Sequence, residues 1–203
     1  MRHPARLGVL ISGGGSNLQA IMDACAGGVL AGAATVAVVI ANRVDAYGLE
    51  RARTANIPAI CLEPRAFGSR REHSAAILAE LRRHNVDVVC LAGYLLKVEP
   101  DVLAAFSGRI INIHPALLPR YGGPGMYGHH VHEAVLAAGD AESGATVHVV
   151  DAEYDHGPVI LQETVPVMPG DTADDLARRV LSVEHKLFPA GILKVIEQAG
   201  RQL

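Results

Sequence analysis

Cysteine is scarce in this chain of 203 residues, which contains only three. Cys25, Cys61 and Cys90 lie in apolar stretches, without the short paired spacing of a zinc motif or the dense pattern of a disulfide scaffold. Neither class of small stapled protein fits the chain. The pattern is typical of reduced thiols, and we expect a cytoplasmic location.

Strong charge and long apolar runs are also missing. The formal net charge is −3 and the pI is about 6.3, so there is no basic surplus for non-specific binding to nucleic acid. The first apolar run, residues 7–11, ends in glycines and is too short for a signal peptide. No later segment has the length of a membrane span. We expect neither nucleic acid nor a membrane as a partner.

Apolar residues and glycine are abundant. Hydrophobic residues make up 50% of the chain, with 21 glycines and 11 prolines, which is typical of a compact α/β protein. Apolar runs alternate with segments of helical period, which predicts one domain with a doubly wound, Rossmann-like, mostly parallel sheet. The predicted strands are 7–11, 35–40, 59–62, 86–92 and 109–113, and the predicted helices are one after the first glycine loop, then 47–55, 69–84, 100–106 and 131–140.

The second half of the chain departs from this alternation. Residues 114–128, HPALLPRYGGPGMYG, form a proline- and glycine-rich loop longer than an ordinary connection, which favours a functional role. Residues 145–167 predict two strands around a tight acidic turn, added antiparallel to the sheet. A final long helix is expected to be capped by Asp171 and to run toward residue 199, with a kink or break at Pro189.

The stretch ISGGGSNLQAI, residues 11–21, reads as a strand, a glycine loop and a helix. Such a joint presents backbone N–H groups and the positive end of a helix dipole, so a phosphate is its natural ligand. Leu18 stands where a dinucleotide fingerprint needs glycine, and the lysine of a nucleoside-triphosphate loop is absent. Ser16 and Asn17 could bind the ligand or only cap the helix, and the loop alone does not decide between these.

Asn112 and His114 alternate at the end of a predicted strand, so both side chains point to one face where the chain leaves the sheet. A histidine carries protons near neutral pH, and an asparagine amide donates to an oxyanion. The alternative is a histidine held by backbone hydrogen bonds. A catalytic histidine needs a carboxylate partner, for which the turn DAEYDHG offers Asp151, Glu153 or Asp155, or these residues serve only to form the turn.

Other histidines invite a metal interpretation. His129, His130 and His132 are clustered, but they lack the i, i+4 pair of a helical zinc motif, so they are interpreted as surface or substrate-loop residues. His148 and His156 have no assigned role. Glu184, in the final helix, has a charged outer helix face as its default interpretation.

Two stretches together resemble a known family. INIHPALLPRYGG resembles the signature of the folate-dependent formyltransferases, and ISGGGSNLQAI resembles the phosphate loop of their phosphoribosylglycinamide formyltransferase branch. The similarity runs from about residue 7 to 199. It includes the segments NRVDAYGLERA, AFGSRR, DVVCLAGY, SGATVHVVDAEYDHGPVILQ and GDTADDLARRV and the EH pair of the last helix.

The resemblance implies transfer of a formyl group from 10-formyltetrahydrofolate to the amine of glycinamide ribonucleotide. It assigns Asn112, His114 and Asp155 to catalysis, and it implies no metal. The implied ribonucleotide-binding residues are Gly15, Ser16, Asn17 and Glu184. The implied folate-contacting residues are Arg70, Leu95, Leu96, Lys97, Val98, Asn112, Asp151, Ala152, Glu153, Tyr154 and Asp155.

The resemblance also implies a phosphate-binding half, about 1–100, and a folate and catalytic half, about 101–203, in a monomer or homodimer. This chain departs from the common pattern in three places. It has the longer link GGPGMYGHHVH, it reads LLKV where Met-Arg-Ile-Leu is common, and its turn is DHG rather than DGG. The histidines of the longer link therefore receive no role from the resemblance.

Three alternatives share these features. A methionyl-tRNA formyltransferase usually has a C-terminal nucleic-acid-binding domain, and a formyltetrahydrofolate hydrolase an N-terminal regulatory domain, and neither domain is recognisable in this sequence. A non-catalytic nucleotide-binding module on the same fold is the third. The combination of Asn112, His114 and an acidic residue with a phosphate loop argues against the third.

Overall fold

A computed structural model describes residues 3–199 of the chain. Its centre is one seven-stranded sheet with the order β3-β2-β1-β4-β5-β6-β7. The strands are β1 (Ala5–Ile11), β2 (Ala34–Ala41), β3 (Ala59–Cys61), β4 (Val88–Leu91), β5 (Ile110–His114), β6 (Glu142–Val149) and β7 (Val159–Pro166). The first five strands are parallel, and β6 and β7 are antiparallel to their neighbours. The predicted mostly parallel sheet with an antiparallel addition is confirmed.

Helices cover both faces of the sheet. They are α1 (Ser16–Gly27), α2 (Gly48–Thr54), α3 (Arg70–Arg83), α4 (Pro100–Ala105), α5 (His129–Ala137) and α6 (Ala173–Ala199). Helix α5 begins two residues before the predicted start at 131, because Gly128, with a φ of 54°, makes the turn directly before the helix. His129 and His130 are therefore helical residues rather than loop residues. In the described part of the chain, no helix is long and apolar enough to cross a membrane.

Two apolar layers hold the helices on the sheet. One contains Leu18 and Ile21 of α1 with Leu176 and Phe188 of α6, and the other is built against α3 and α4. Neighbouring residues of a parallel strand serve both layers, since Val9 of β1 belongs to the first and Leu10 to the second. This burial on two faces explains why the central strands lack polar alternation.

The connection between β6 and β7 is not the predicted tight turn. It comprises residues 150–158, a loop rather than a hairpin turn. Asp155 adopts a φ of 53° in it, and a Cβ on Gly157 would lie 1.9 Å from the carbonyl oxygen of Val149. The loop thus folds back on the end of β6. The sequence pattern predicts the two flanking strands, but it carries no information about the path of the loop between them.

The N-cap of α6 is also different from the prediction. Thr172 caps the helix: its Oγ1 accepts a hydrogen bond from the Asp175 N–H at 3.2 Å, and Asp175 Oδ2 accepts one from the Thr172 N–H at 3.0 Å. Asp171 instead accepts from the Met168 N–H at 2.8 Å and pairs with Arg179. Of the kink or break predicted at Pro189, the break is wrong as well, because α6 continues through this residue.

Candidate functional site

A cavity of about 900 Å³ opens at the carboxyl ends of the parallel strands. Its walls come from the loops after β1, β4 and β5, from the β6–β7 loop, and from one side each of α5 and α6. Both Asn112 and His114 line it, as do Ser16 and Asn17 at the start of α1. The glycine loop and the end of β5, far apart in sequence, therefore face one space.

Asn112, His114 and Asp155 meet in this cavity. Asp155 Oδ1 lies 3.5 Å from Asn112 Nδ2 and 3.6 Å from His114 Nδ1. His114 is 3% exposed. Of the three acidic residues that the sequence left open as partners, the structure thus brings Asp155 to the histidine, while Asp151 pairs with His156 at 3.1 Å.

A fourth side chain, which the sequence left without a role, completes this cluster. His148 Nε2 accepts a hydrogen bond from Asn112 Nδ2 at 3.1 Å and lies 3.6 Å from Asp155 Oδ1. Its Nδ1 donates to the Val149 carbonyl at 3.0 Å, which fixes the tautomer. The feature that places His148 in the site is the antiparallel register of β5 and β6, in which Asn112 pairs with His148. Periodicity does not give that register.

The tautomer of His114 is fixed in a similar way. Its Nε2 donates to the carbonyl of Tyr121 at 2.7 Å, so Nδ1 is the nitrogen that faces Asp155. Burial lowers the pKa of His114 below its ordinary value, although the charge of Asp155 and the Tyr121 carbonyl oppose the shift. The imidazole is neutral at neutral pH, with a lone pair on Nδ1.

Asp155 is a carboxylate in this setting. Burial acts to raise its pKa, but the adjacent His148, the charge of His114 and the Gly123 N–H together lower it below the ordinary value. The Gly123 N–H donates to Asp155 Oδ2 at 3.0 Å. The long loop reaches the carboxylate through neighbouring Gly122, where a Cβ would lie 3.1 Å from Asp155 Cβ and 2.7 Å from Leu118 Cδ2.

The glycine loop does not use its polar side chains as caps. Gly15, with φ of 70°, is the N-cap residue of α1, and no side chain caps this helix. Asn17 Nδ2 instead donates to Glu184 Oε2 at 2.7 Å in a buried contact. The interpretation of Ser16 and Asn17 as caps is therefore wrong, and Ser16 is open to the cavity.

Glu184 lies inside the protein rather than on an outer helix face. It is 6% exposed and lines the cavity beside Asn17. Burial raises the pKa of its carboxyl, against the lowering effect of the hydrogen bond from Asn17. The default interpretation of this residue as a solvated charge is wrong.

The predicted folate-contacting residues fall into three groups. Those that line the cavity, besides Asn112 and Asp155, are Leu95, Leu96, Lys97, Val98, Asp151, Glu153 and Tyr154. Arg70 lines a smaller adjoining cavity. Ala152 lines neither cavity.

Gly15, predicted to bind the ribonucleotide, does not line the main cavity either. It packs on Gly48, whose Cα would lie 2.8 Å from a Cβ at Gly15.

The three clustered histidines separate in the structure. His129 and His132 line the cavity, whereas His130 is exposed and pairs with Glu133 at 3.4 Å. His132 is 4% exposed, which contradicts a surface role, and burial lowers its pKa to about 4. Its Nδ1 has no hydrogen-bond partner within the described chain. Among residues 3–199, no group of three or more His, Cys, Asp or Glu is placed to hold a metal ion.

Comparisons with known proteins show which family the chain resembles over most of its length. The chain matches the formyl transferase family model over residues 5–192. It is 47% identical over 199 residues to phosphoribosylglycinamide formyltransferase of Escherichia coli (strain K12), covering 95% of this chain and 91% of that protein. It also matches the trifunctional purine biosynthetic protein adenosine-3 of Drosophila melanogaster, with 40% identity over 191 residues that cover 94% of this chain and 14% of that protein.

A solved structure shows the same fold. The crystal structure of glycinamide ribonucleotide transformylase 1 from Symbiobacterium toebii superposes with a TM-score of 0.91 at 47% identity. The match covers 98% of this chain and 90% of that one. Since nearly all of both chains superpose, the strands and helices around the cavity belong to the shared fold.

Proposed function

The chain belongs to the formyl transferase family, and we propose that it transfers the formyl group of 10-formyltetrahydrofolate to the amine of glycinamide ribonucleotide. The observation that supports this most strongly is the convergence of three side chains on Asp155 Oδ1 in a cavity that Ser16 also lines. Groups able to transfer a proton and bind an oxyanion thus share one space with a loop suited to a phosphate monoester.

The reaction begins with attack of the amine on the formyl carbon. A new C–N bond forms, and the carbonyl electrons move onto oxygen. Asn112 Nδ2 donates one proton to His148 Nε2, and its other proton, which makes a long hydrogen bond of 3.5 Å to Asp155 Oδ1, turns to the oxyanion as the oxyanion forms. Neutral His114 takes a proton from the attacking nitrogen through Nδ1.

The second half of the reaction returns that proton. Asp155 stabilises the imidazolium of His114, since its carboxylate lies 3.6 Å from Nδ1. Charged His114 adds to the stabilisation of the oxyanion. When the intermediate collapses, the bond from the formyl carbon to N10 of the folate breaks, and the proton goes to N10. The products are the formylated amine and tetrahydrofolate.

The two substrates enter from opposite sides of this centre. We assign the ribonucleotide phosphate to the turn of Gly15, Ser16 and Asn17, of which Ser16 and Asn17 line the cavity and Gly15 lies next to it in the chain. We assign a substrate contact to Glu184, which accepts a hydrogen bond from Asn17 at 2.7 Å. We assign the folate to the other side, where its contacts are the backbone of 95–98, the loop 151–155 and Arg70. Leu95, Leu96 and Val98 there offer apolar contacts to a pteridine.

Assembly and location form part of the proposal. Residues 1–203 act as one domain, because one sheet takes strands from both halves of the chain. As its assembly we propose a monomer or a homodimer. The three cysteines are free thiols, which suits the cytoplasm.

The test is a spectrophotometric assay of tetrahydrofolate release from 10-formyltetrahydrofolate, with and without glycinamide ribonucleotide. We expect release that depends on the amine, that is nearly abolished in His114→Ala and that persists in His130→Ala, whose side chain is exposed and outside the cavity. Release without the amine would identify a hydrolase. Absence of release by the folded protein would contradict the proposal.

A further inference from the structure

Arg51 of helix α2 reaches the glycine loop that precedes α1. Its Nε donates a hydrogen bond to the carbonyl oxygen of Gly14, 37 positions earlier in the chain, at 2.8 Å. Its Nη1 donates to Gln19 Oε1, in the first turns of α1, at 3.3 Å. The guanidinium carbon lies 5.1 Å from the centroid of the Tyr47 ring, a cation–π contact that keeps the side chain extended along α2. Arg51 therefore connects the loop to both helices.

The contact with Gly14 sets the direction of the next backbone N–H group. The peptide bond between Gly14 and Gly15 is trans, so its carbonyl and its N–H point in opposite directions. Because the Gly14 carbonyl points to Arg51, the Gly15 N–H points away from α2. Within residues 3–199, no backbone carbonyl accepts a hydrogen bond from this N–H. It is therefore a donor that a ligand can use.

The conformation of Gly15 brings the following N–H groups to the same side. Gly15 is left-handed, with φ of 70° and ψ of 35°, and Ser16 begins the right-handed helix α1. Adjacent residues of opposite hand turn successive N–H groups toward one point, an arrangement that binds anions in proteins. The N–H groups of Gly15, Ser16 and Asn17 thus form one concave set of donors. Arg51 fixes the orientation of the first of them.

Arg51 also brings a positive charge that no carboxylate neutralises. Among the described residues Arg51 forms no salt bridge, whereas Arg53, two positions later in α2, pairs with Glu50 at 2.9 Å. A Cβ at Gly15 would lie 3.6 Å from Arg51 Cδ, so the side chain packs directly against the turn. The loop itself, residues 12–17, contains neither lysine nor arginine. Arg51 therefore supplies a positive charge next to a turn that has none of its own.

We propose that Arg51 is a positioning residue for the phosphate of the ribonucleotide. This inference rests on the proposed function, in which the phosphate binds the turn of Gly15, Ser16 and Asn17. Arg51 holds the peptide between Gly14 and Gly15 in the orientation that directs its N–H to the phosphate. Its charge stabilises the phosphate dianion from behind the turn. Arg51 does not line the main cavity, so it acts through the loop and not on the reacting groups.

The test measures kcat and the KM of each substrate for Arg51→Met in the formyl-transfer assay. We expect the KM for glycinamide ribonucleotide to rise about tenfold, because a hydrogen bond to a charged group is weakened. The kcat and the KM for 10-formyltetrahydrofolate should stay within about twofold of the wild-type values, since the lost interaction binds one substrate alone and equally in its ground and transition states.

Three further variants sharpen this comparison. Arg51→Gln also removes the charge and should show the same rise in KM, so the result does not depend on the folding of one variant. Arg51→Lys keeps the charge and one donor group, and we expect a smaller rise. Arg53→Met is the matched control on the same helix, since an exposed ion pair contributes little, and it should keep both KM values. Thermal unfolding of each variant checks that folded proteins are compared.

A wild-type KM for the ribonucleotide in folded Arg51→Met or Arg51→Gln would overturn the inference and leave the proposed function intact. Equal increases in the KM values of both substrates would also overturn it, because a general loss of structure affects both. Absence of formyl transfer by the wild-type protein would refute the proposed function, and this inference with it.

Discussion

At the residue scale, the proposed chemistry depends on where Asn112 can direct its amide protons. One is donated to His148 at 3.1 Å, and this bond orients the other toward the reacting centre. We predict that Asn112→Ala lowers kcat by roughly a hundredfold or more, since an oxyanion donor is lost. Steady-state kinetics of the folded variant would measure the loss. A kcat within a few-fold of wild type would remove Asn112 from the oxyanion site.

His132 gives a prediction about stability. Burial lowers its pKa from 6.5 to about 4, so between these values the unfolded chain binds a proton that the folded chain does not. The contribution of neutral His132 to the free energy of unfolding is fully present above pH 6.5 and is lost as the pH falls toward 4. We predict that on moving from about pH 7.5 to about pH 5, the free energy of unfolding falls less in His132→Gln than in wild type.

Urea unfolding at the two pH values measures this difference. The comparison between variant and wild type matters, because buried His114 also titrates and changes the absolute slope in both proteins. Equal losses of stability in the two proteins would show that His132 is protonated as easily in the fold as in solution.

At the element scale, the glycine loop is shaped by its contact with the start of α2. The Gly48 N–H donates to the Gly13 carbonyl at 3.1 Å, and a Cβ at Gly48 would lie 2.4 Å from Cδ1 of buried Ile11. We predict that Gly48→Ala destabilises the protein by about 1–3 kcal/mol through overpacking. It should also raise the KM for glycinamide ribonucleotide more than that for the folate.

Gly27→Ala is the matched control, because a Cβ there meets nothing within 4 Å. This variant should keep both KM values. Thermal unfolding measures the stability of the two variants, and steady-state kinetics measures their KM values for the two substrates. If Gly48→Ala raised both KM values equally, the contact would support the whole cavity rather than the phosphate side.

The elements differ in how far the sequence predicts them. Elements with a clear sequence signal, such as the apolar run of β1 and the helical period of α3, lie within one or two residues of their predicted bounds. The predicted N-cap of α6 was wrong because Asp171 and Thr172 are both good capping residues. Thr172 becomes the N-cap because Asp171 is paired with Arg179. Helix α6 continues through Pro189 because Phe188 and Ile192 on either side are buried in the core.

At the scale of the whole molecule, the site is predictable only where its residues are close in sequence. Asn112 and His114 stand out because a strand end places them on one face. The sequence did not identify His148, since its position depends on the pairing of β6 with β5. The burial of Glu184 was not predicted either, since it depends on the packing of α6 beside α1. Both are contacts between distant segments, which local patterns do not record.

The proposed function requires one cavity to hold two substrates. Helices α1 and α6 line the proposed phosphate side, the loop after β4 and the β6–β7 loop line the proposed folate side, and β5 also contributes to the lining. In the proposed arrangement the predicted halves, 1–100 and 101–203, both contribute to each side: Val98 of the first half would face the folate, and Glu184 of the second would face the ribonucleotide; both residues line the cavity. The division in sequence does not coincide with the division of the site.

The central claim is that the formyl group passes directly from folate to amine in this cavity. The most direct measurement uses 10-formyltetrahydrofolate with a carbon-13-labelled formyl group, followed by mass spectrometry of the products formed with glycinamide ribonucleotide. We predict that the label is found on the ribonucleotide in an amount equal to the tetrahydrofolate released. Recovery of the label as free formate, with an unmodified ribonucleotide, would contradict the claim.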